Sequence, residues 1–249
     1  DAGLARERVL RARPGERICA ALSVEELAFD YLASPDAYEQ SLATALDGAA
    51  LHALAGADLV VWPELALLVP GGANETALLD VLAEVAADHR VFLLAGYGAL
   101  FHRRRLELAI RNSAVLLGGP QREPILRASE LRPRPTAARR FVREVEARLQ
   151  VAFTAAGTLS ASLGADALFA DAGRAVAART GGGGLHVVLQ SERQRHGHLA
   201  AQAARFRGVE GGFNVVQFGG PGAALASTAR GEIVASEMHG GGRRRAGAG

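Results

Sequence analysis

Apolar residues in this chain fall into short continuous runs separated by longer stretches of three- and four-residue periodicity. Arg17–Ser23 (RICAALS), Asp58–Trp62 (DLVVW), Val91–Gly96 (VFLLAG), Asn112–Leu117 (NSAVLL) and Leu185–Gln190 (LHVVLQ) are runs of the first kind. Segments this short and this apolar predict strands covered on both faces. Pro63 is expected to end the second of them, since proline cannot donate to a sheet ladder. Tyr38, Leu42, Leu46, Ala50 and Leu54 recur at fourfold spacing and predict a helix, with Asp36 as its cap and Glu39 three residues on. A second helix is expected after Asn74, burying Leu78, Leu79, Leu82 and Val85.

The second half repeats the pattern. Thr136–Leu149 has helical spacing at Phe141, Val145 and Leu149. Thr158–Leu163 alternates like a strand and leads into a helix over Asp166–Arg179, and a further helix covers His198–Val209. Asn214–Phe218, Ala223–Ser227 and Glu232–Ser236 read as strands, the last two paired about a turn at Arg230–Gly231. Strands alternating with helices predict an α/β layered fold. No linker divides it, so residues 17–237 form one domain between a charged linker, 1–16, and a disordered Gly/Arg tail, 238–249.

Composition narrows the function classes. A 49% hydrophobic content over 249 residues is enough for a sizeable core. A net charge of +2 argues against a nucleic-acid binder that works by bulk electrostatics. Every fixed positive side chain is arginine, so no chemistry that needs a lysine can occur. The single cysteine, Cys19, rules out an internal disulfide and a cysteine-based zinc site; on the first strand it suits a small core residue. No run of about 18 apolar residues is present to span a membrane, and no signal-peptide pattern opens the chain. The first residue is not Met, which fits a fragment or a processed product.

Trp62-Pro63-Glu64 is the most informative triplet, because a carboxylate just past a strand's C-terminal end sits where α/β folds bind ligands. VVWPE resembles the first catalytic motif of the carbon–nitrogen hydrolases, the nitrilase superfamily, and above all of the bacterial apolipoprotein N-acyltransferases. Arg111-Asn112-Ser113-Ala114, His198-Leu199 with Ala204 through Gly212, Asn214-Val215-Val216, and the hairpin from Ala223 to Val234 follow in the family's order. The resemblance covers roughly Arg17 to Ser236 and implies an α-β-β-α sandwich. It also implies a Glu–Lys–Cys mechanism. The cysteine attacks an amide or ester carbonyl, the glutamate moves the proton, and the lysine steadies the oxyanion. In the N-acyltransferases the acyl group passes from a phospholipid to the N-terminal amine of a lipoprotein.

Aligned on that pattern, only Glu64 of the three is kept. Leu163-Gly164-Ala165-Asp166 places Gly164 in the cysteine position and Asp166 in that of the acid that follows it. Ser129-Glu130-Leu131-Arg132-Pro133 places Ala128 where the lysine belongs. Arg127, Arg132 or Arg134 could bring a positive charge near Glu64, but a planar guanidinium does not replace a compact ammonium. Ser160 and Ser162 lie upstream of the elbow, as ordinary strand serines or as a displaced nucleophile. His196 and His198 lack the companion ligands of a metal site, and Gly181–Gly184 follows a helix, opposite to a phosphate loop. Phe101–Arg105 and Arg243–Arg245 are charge runs suited to solvent or to anionic lipid headgroups.

Losing one member of such a triad costs about 10⁴- to 10⁶-fold. The departures therefore imply a pseudoenzyme with a binding or regulatory role, its ligand a lipid or acyl chain, or its partner a protein. No cofactor, metal or nucleic acid is implied, and contact with a membrane surface stays open. The alternative is an active amide hydrolase or N-acyltransferase with relocated groups, Glu64 or Asp166 activating water. The resemblance places an N-acyltransferase-like fragment on the outer face of the cytoplasmic membrane; otherwise the chain is expected in the cytoplasm.

Overall fold

A computed structural model describes residues 8–10, 19–21, 34–102, 108–118, 124–129, 141–143, 151–154, 157–164, 170–181, 183–190, 197–218 and 224–237. Its strands form two sheets. The first contains β1 (Arg8–Leu10), β2 (Cys19–Ala21), β3 (Leu59–Pro70), β4 (Phe92–His102), β5 (Leu108–Leu117) and β6 (Leu126–Ser129), side by side in that order. β7 (Phe141–Arg143) runs along the first half of β5. The second sheet, in spatial order, is β13 (Ile233–Glu237), β12 (Ala224–Ser227), β11 (Asn214–Phe218), β10 (Leu185–Leu189), β9 (Gly157–Leu163) and β8 (Val151–Thr154). β2, β3 and β4 are parallel, as are β9, β10 and β11; β7 is parallel to β5, and the other pairs are antiparallel.

Strand alternation sorts the side chains into layers. Leu59, Val61, Leu94, Ala114 and Leu116 of the first sheet meet Ala161, Leu163, Val187 and Leu189 of the second in a core between the sheets. Their neighbours Val60, Trp62, Leu93, Ala95 and Val115 turn the other way, under α1 (Pro35–Leu54) and α2 (Ala73–Asp88). Val188, Phe213 and Val215 pack in the same way against α3 (Ala170–Thr180) and α4 (Gly197–Gly211). The architecture is the expected α-β-β-α sandwich. Central strands read as unbroken apolar runs because both of their faces are covered. Each fully buried Leu or Val contributes about 1.5–3 kcal/mol.

Several expectations need correction. Ser34 stands at the cap position of α1 without a side-chain hydrogen bond, Pro35 is in the first turn and Asp36 lies inside the helix; proline's fixed φ and missing N–H suit that first turn. Gly72 stands at the cap position of α2, with Asn74 within the helix. Its first turn is held by Glu75, which accepts from Tyr97 Oη (2.9 Å) and from Arg111 Nη2 (2.6 Å). Arg8–Leu10, in the expected linker, pairs with β2. Phe141–Arg143, within an expected helix, is a strand on β5, so pairing overrode its helical spacing; the rest of that helix lies outside the described residues. β6 and β8 were not anticipated. The C-terminal hairpin forms as expected.

Candidate active site

Pro63 does not end β3. The strand continues to Pro70, and the ladder with β4 breaks between Trp62 and Leu67. Trp62 pairs with Ala95 and Leu67 with Tyr97, so Pro63, Glu64, Leu65 and Ala66 all stand against Gly96 alone. Proline cannot donate to the ladder, which favours a bulge here. Gly96 makes room for it: a Cβ at that position would lie 2.2 Å from the Pro63 carbonyl oxygen and 3.1 Å from Glu64 Cα. Leu65 has φ +56°, a left-handed conformation that costs an L-residue about 1–3 kcal/mol. The backbone is thus strained beside Glu64, and the packing of Leu65 with Leu68, Leu100 and Ile110 holds it there.

The bulge carries the Glu64 side chain into the interior, where the residue is 3% exposed. Asn112 Nδ2 donates to Glu64 Oε1 at 2.6 Å. Asn112 is on β5, two and four residues before Ala114 and Leu116, so it shares their face toward the second sheet. A carboxylate oriented by a buried amide donor and set in the layer between two sheets has the placement a general base needs. Asn112 Oδ1 is buried and has no hydrogen-bond partner among the described residues. An acceptor without a partner beside a carboxylate suits the N–H of a ligand.

Two of the other expected positions, Gly164 and Ala128, are on strands or turns that border the same layer. β9 contributes Leu159, Ala161 and Leu163 to the inter-sheet core. Directly after it, Gly164 is buried with φ +56°, the backbone form of a sharp turn out of a strand. Ala128, on β6, pairs in register with Ala114. Asp166 lies outside the described residues, as do Arg132 and Arg134, and nothing is described of the Arg127 side chain. The polar loop 191–196, with His196, and the tail 238–249 are also outside them.

Ser160 and Ser162 face away from Glu64. Ser160 Oγ lies 2.9 Å from His186 Nδ1 and Ser162 Oγ 3.0 Å from His186 Nε2. His186 is on β10, with its side chain on the helix-covered face, against the edge of the Phe213 ring at 5.4 Å. A neutral imidazole has one N–H and one lone pair, and the two hydroxyls satisfy both. Burial pushes the His186 pKa down from 6.5 to about 4. The serines are therefore partners of a buried neutral histidine.

Asn112 lies within the Arg111–Ala114 motif, whose resemblance assigns it no role. The available signal was a polar amide inside an otherwise apolar strand. Gly96 and the His186 cluster carried no signal of that kind, because their partners lie in other strands. Among the described residues, no group of three His, Cys, Asp or Glu side chains could hold a metal ion. No described helix is long and apolar enough to cross a membrane.

No protein-family model and no curated protein matches the chain. Solved structures do resemble it. An amidase from Nesterenkonia sp. superposes with a TM-score of 0.64 at 18% identity, over 80% of each chain. A substituted form of the Nesterenkonia AN1 amidase, of the nitrilase superfamily, gives a TM-score of 0.64 at 20% identity, again over 80% of each chain. Another form of that amidase, with the acetamide moiety of fluoroacetamide added covalently at its active-site cysteine, gives 0.65 at 18% identity over 80% of each chain. The fold of this chain is the nitrilase type.

Proposed function

We propose that this chain is a carbon–nitrogen-hydrolase-type domain, related most nearly to the apolipoprotein N-acyltransferases, that binds a ligand in the old catalytic layer without forming a covalent intermediate. The observation that carries the reading is a retained, buried Glu64 in a chain whose turn after β9 is a glycine. Glu64 is buried and oriented by Asn112, while Gly164 has no side chain with which to attack a carbonyl. Ala128 offers no cation for an oxyanion, and no lysine exists elsewhere to replace it. The unpartnered Asn112 Oδ1 supports binding of an N–H group, such as an amide or amine carries.

The structurally similar amidases carry a cysteine adduct in three of their solved forms. Here Ser160 and Ser162 are engaged by His186 on the opposite face of the sheet, so neither serves as a displaced nucleophile for Glu64. The binding or regulatory role extends to acyl-bearing ligands if the N-acyltransferase relation holds. Incubation with activated acyl esters and phospholipid donors, followed by intact-mass spectrometry, tests the reading. No acyl adduct should form, and a stable adduct at a side chain in this layer would overturn it.

A further inference from the structure

Glu75 sits in the first turn of α2, on the helix-covered face of the first sheet and so across the sheet from the layer that holds Glu64. A glutamate at the third helical position commonly turns back to the backbone of its own cap. Here both carboxylate oxygens go to the sheet instead. Arg111 Nη2 on β5 donates to Oε1 and Oε2, at 2.6 and 2.5 Å, and Tyr97 Oη on β4 donates to Oε1 at 2.9 Å. The Glu75 side chain is 12% exposed and Tyr97 3%. Charge-assisted bonds shielded in this way hold their partners more firmly than exposed ion pairs do.

Both strand residues that Glu75 grips stand next to the candidate site. Strand alternation puts Arg111 on the face of Val115 and Leu117, under the helices, and its neighbour Asn112 on the face of Ala114 and Leu116, between the sheets. One peptide unit therefore separates the residue that Glu75 holds from the residue that orients Glu64. Tyr97 directly follows Gly96, against which the whole bulge stands, and pairs with Leu67, where the ladder resumes. On its other side Tyr97 pairs with Ser113, the residue after Asn112. The bulge leaves the second half of β3 held to β4 only by the pairs from Leu67 to Pro70, and α2 follows that half directly. Glu75 thus returns the chain beyond the bulge to the two strands on which the site is built.

We propose that Glu75 is a positioning residue for the Glu64–Asn112 pair, clamping β4 and β5 from the helix side so that the bulge and Asn112 keep hydrogen-bond distance. The inference rests on reading that pair as the ligand-binding centre, and Glu75 bonds to neither member of it. An anchor for α2 alone would cost stability throughout the fold. A positioning residue loosens Asn112 ahead of the rest.

Hydrogen exchange, read by NMR on the isotope-labelled full chain, separates the two. The side-chain amide of Asn112 is assigned by its loss in Asn112→Leu, and the backbone amides of Val187 and Leu189, in the second sheet, report general opening. Glu75→Ala should speed exchange at Asn112 Nδ2 by about tenfold or more relative to Val187 and Leu189. Glu75→Gln keeps an acceptor for Tyr97 but gives up the charge facing Arg111, so its effect should run the same way and be smaller. That variant carries the test if Glu75→Ala does not fold. Val215→Ala, which thins the core of the second sheet, should leave the ratio unchanged. Exchange at Asn112 that stays constant, or rises only in step with Val187 and Leu189, would overturn the proposal, as would an equal change of the ratio in Val215→Ala. An acyl adduct in the mass-spectrometric test would sink the functional reading of Glu64 and leave the exchange ratio to decide the role of Glu75.

Discussion

Asn112 Nδ2 donates to Glu64 Oε1 at 2.6 Å, joining a residue of β5 to the bulge in β3 inside the layer between the sheets. Hydrogen bonds to a charged partner contribute about 1.5–3 kcal/mol, more than neutral ones. Asn112→Leu should therefore lower the unfolding free energy by about 2 kcal/mol in urea titration. Glu64→Gln should cost less, because its amide oxygen can still accept from Asn112. Equal costs would show that the carboxylate is not the partner that matters.

Gly96 determines whether the bulge exists. With a β-carbon placed 2.2 Å from the Pro63 oxygen, the backbone must move or the strands must part. Gly96→Ala is expected to destabilise by about 3 kcal/mol or more, outside the range of an ordinary surface glycine. Gly181→Ala serves as the control. Its added Cβ would meet nothing within 4 Å, so only the strain of φ +68° is paid there. Comparable losses in the two variants would contradict a steric role for Gly96.

His186 gives the fold an acid-sensitive point. Its pKa falls from 6.5 to about 4 on burial, so between these values the unfolded chain holds a proton that the folded chain excludes. Stability should then fall as pH drops through that window, by on the order of 3 kcal/mol, and show no slope from this group above about pH 6.5. His186→Leu should flatten that part of the profile, read as the difference between variant and wild type in denaturant midpoints at about pH 7.5 and pH 4.5. An unchanged slope would mean that the cluster opens before it titrates.

Much of this architecture is legible in the sequence, and the failures share a cause. The apolar runs at Val60–Trp62 and Val187–Leu189 gave away central strands because both of their faces are buried. Pro63 misled because the rule that proline ends a strand is local, whereas the strand resumes through contacts with Tyr97 and Gly98 on β4. Phe141–Arg143 misled for the same reason: its periodicity is helical, but an open edge of β5 was available. At the site, Glu64 was readable from a triplet. Its partner Asn112 is 48 residues away and became visible only when β5 was laid two strands from β3. The serines looked chemically interesting in sequence, and only their pairing in register with β10 reveals which face they occupy.

The central claim is that position 164 borders the carboxylate's layer and lacks the side chain of a nucleophile. Fluoroacetamide incubation of the native chain and of Gly164→Cys, each in a Cys19→Ala background, tests it by intact-mass and peptide-level spectrometry. A positive φ at that turn strains an L-residue by about 1–3 kcal/mol, which the fold should tolerate. The account predicts no adduct on the native residue set and a covalent adduct at position 164 in the variant. An adduct on the chain without the introduced thiol, or an inert variant that folds normally, would contradict it.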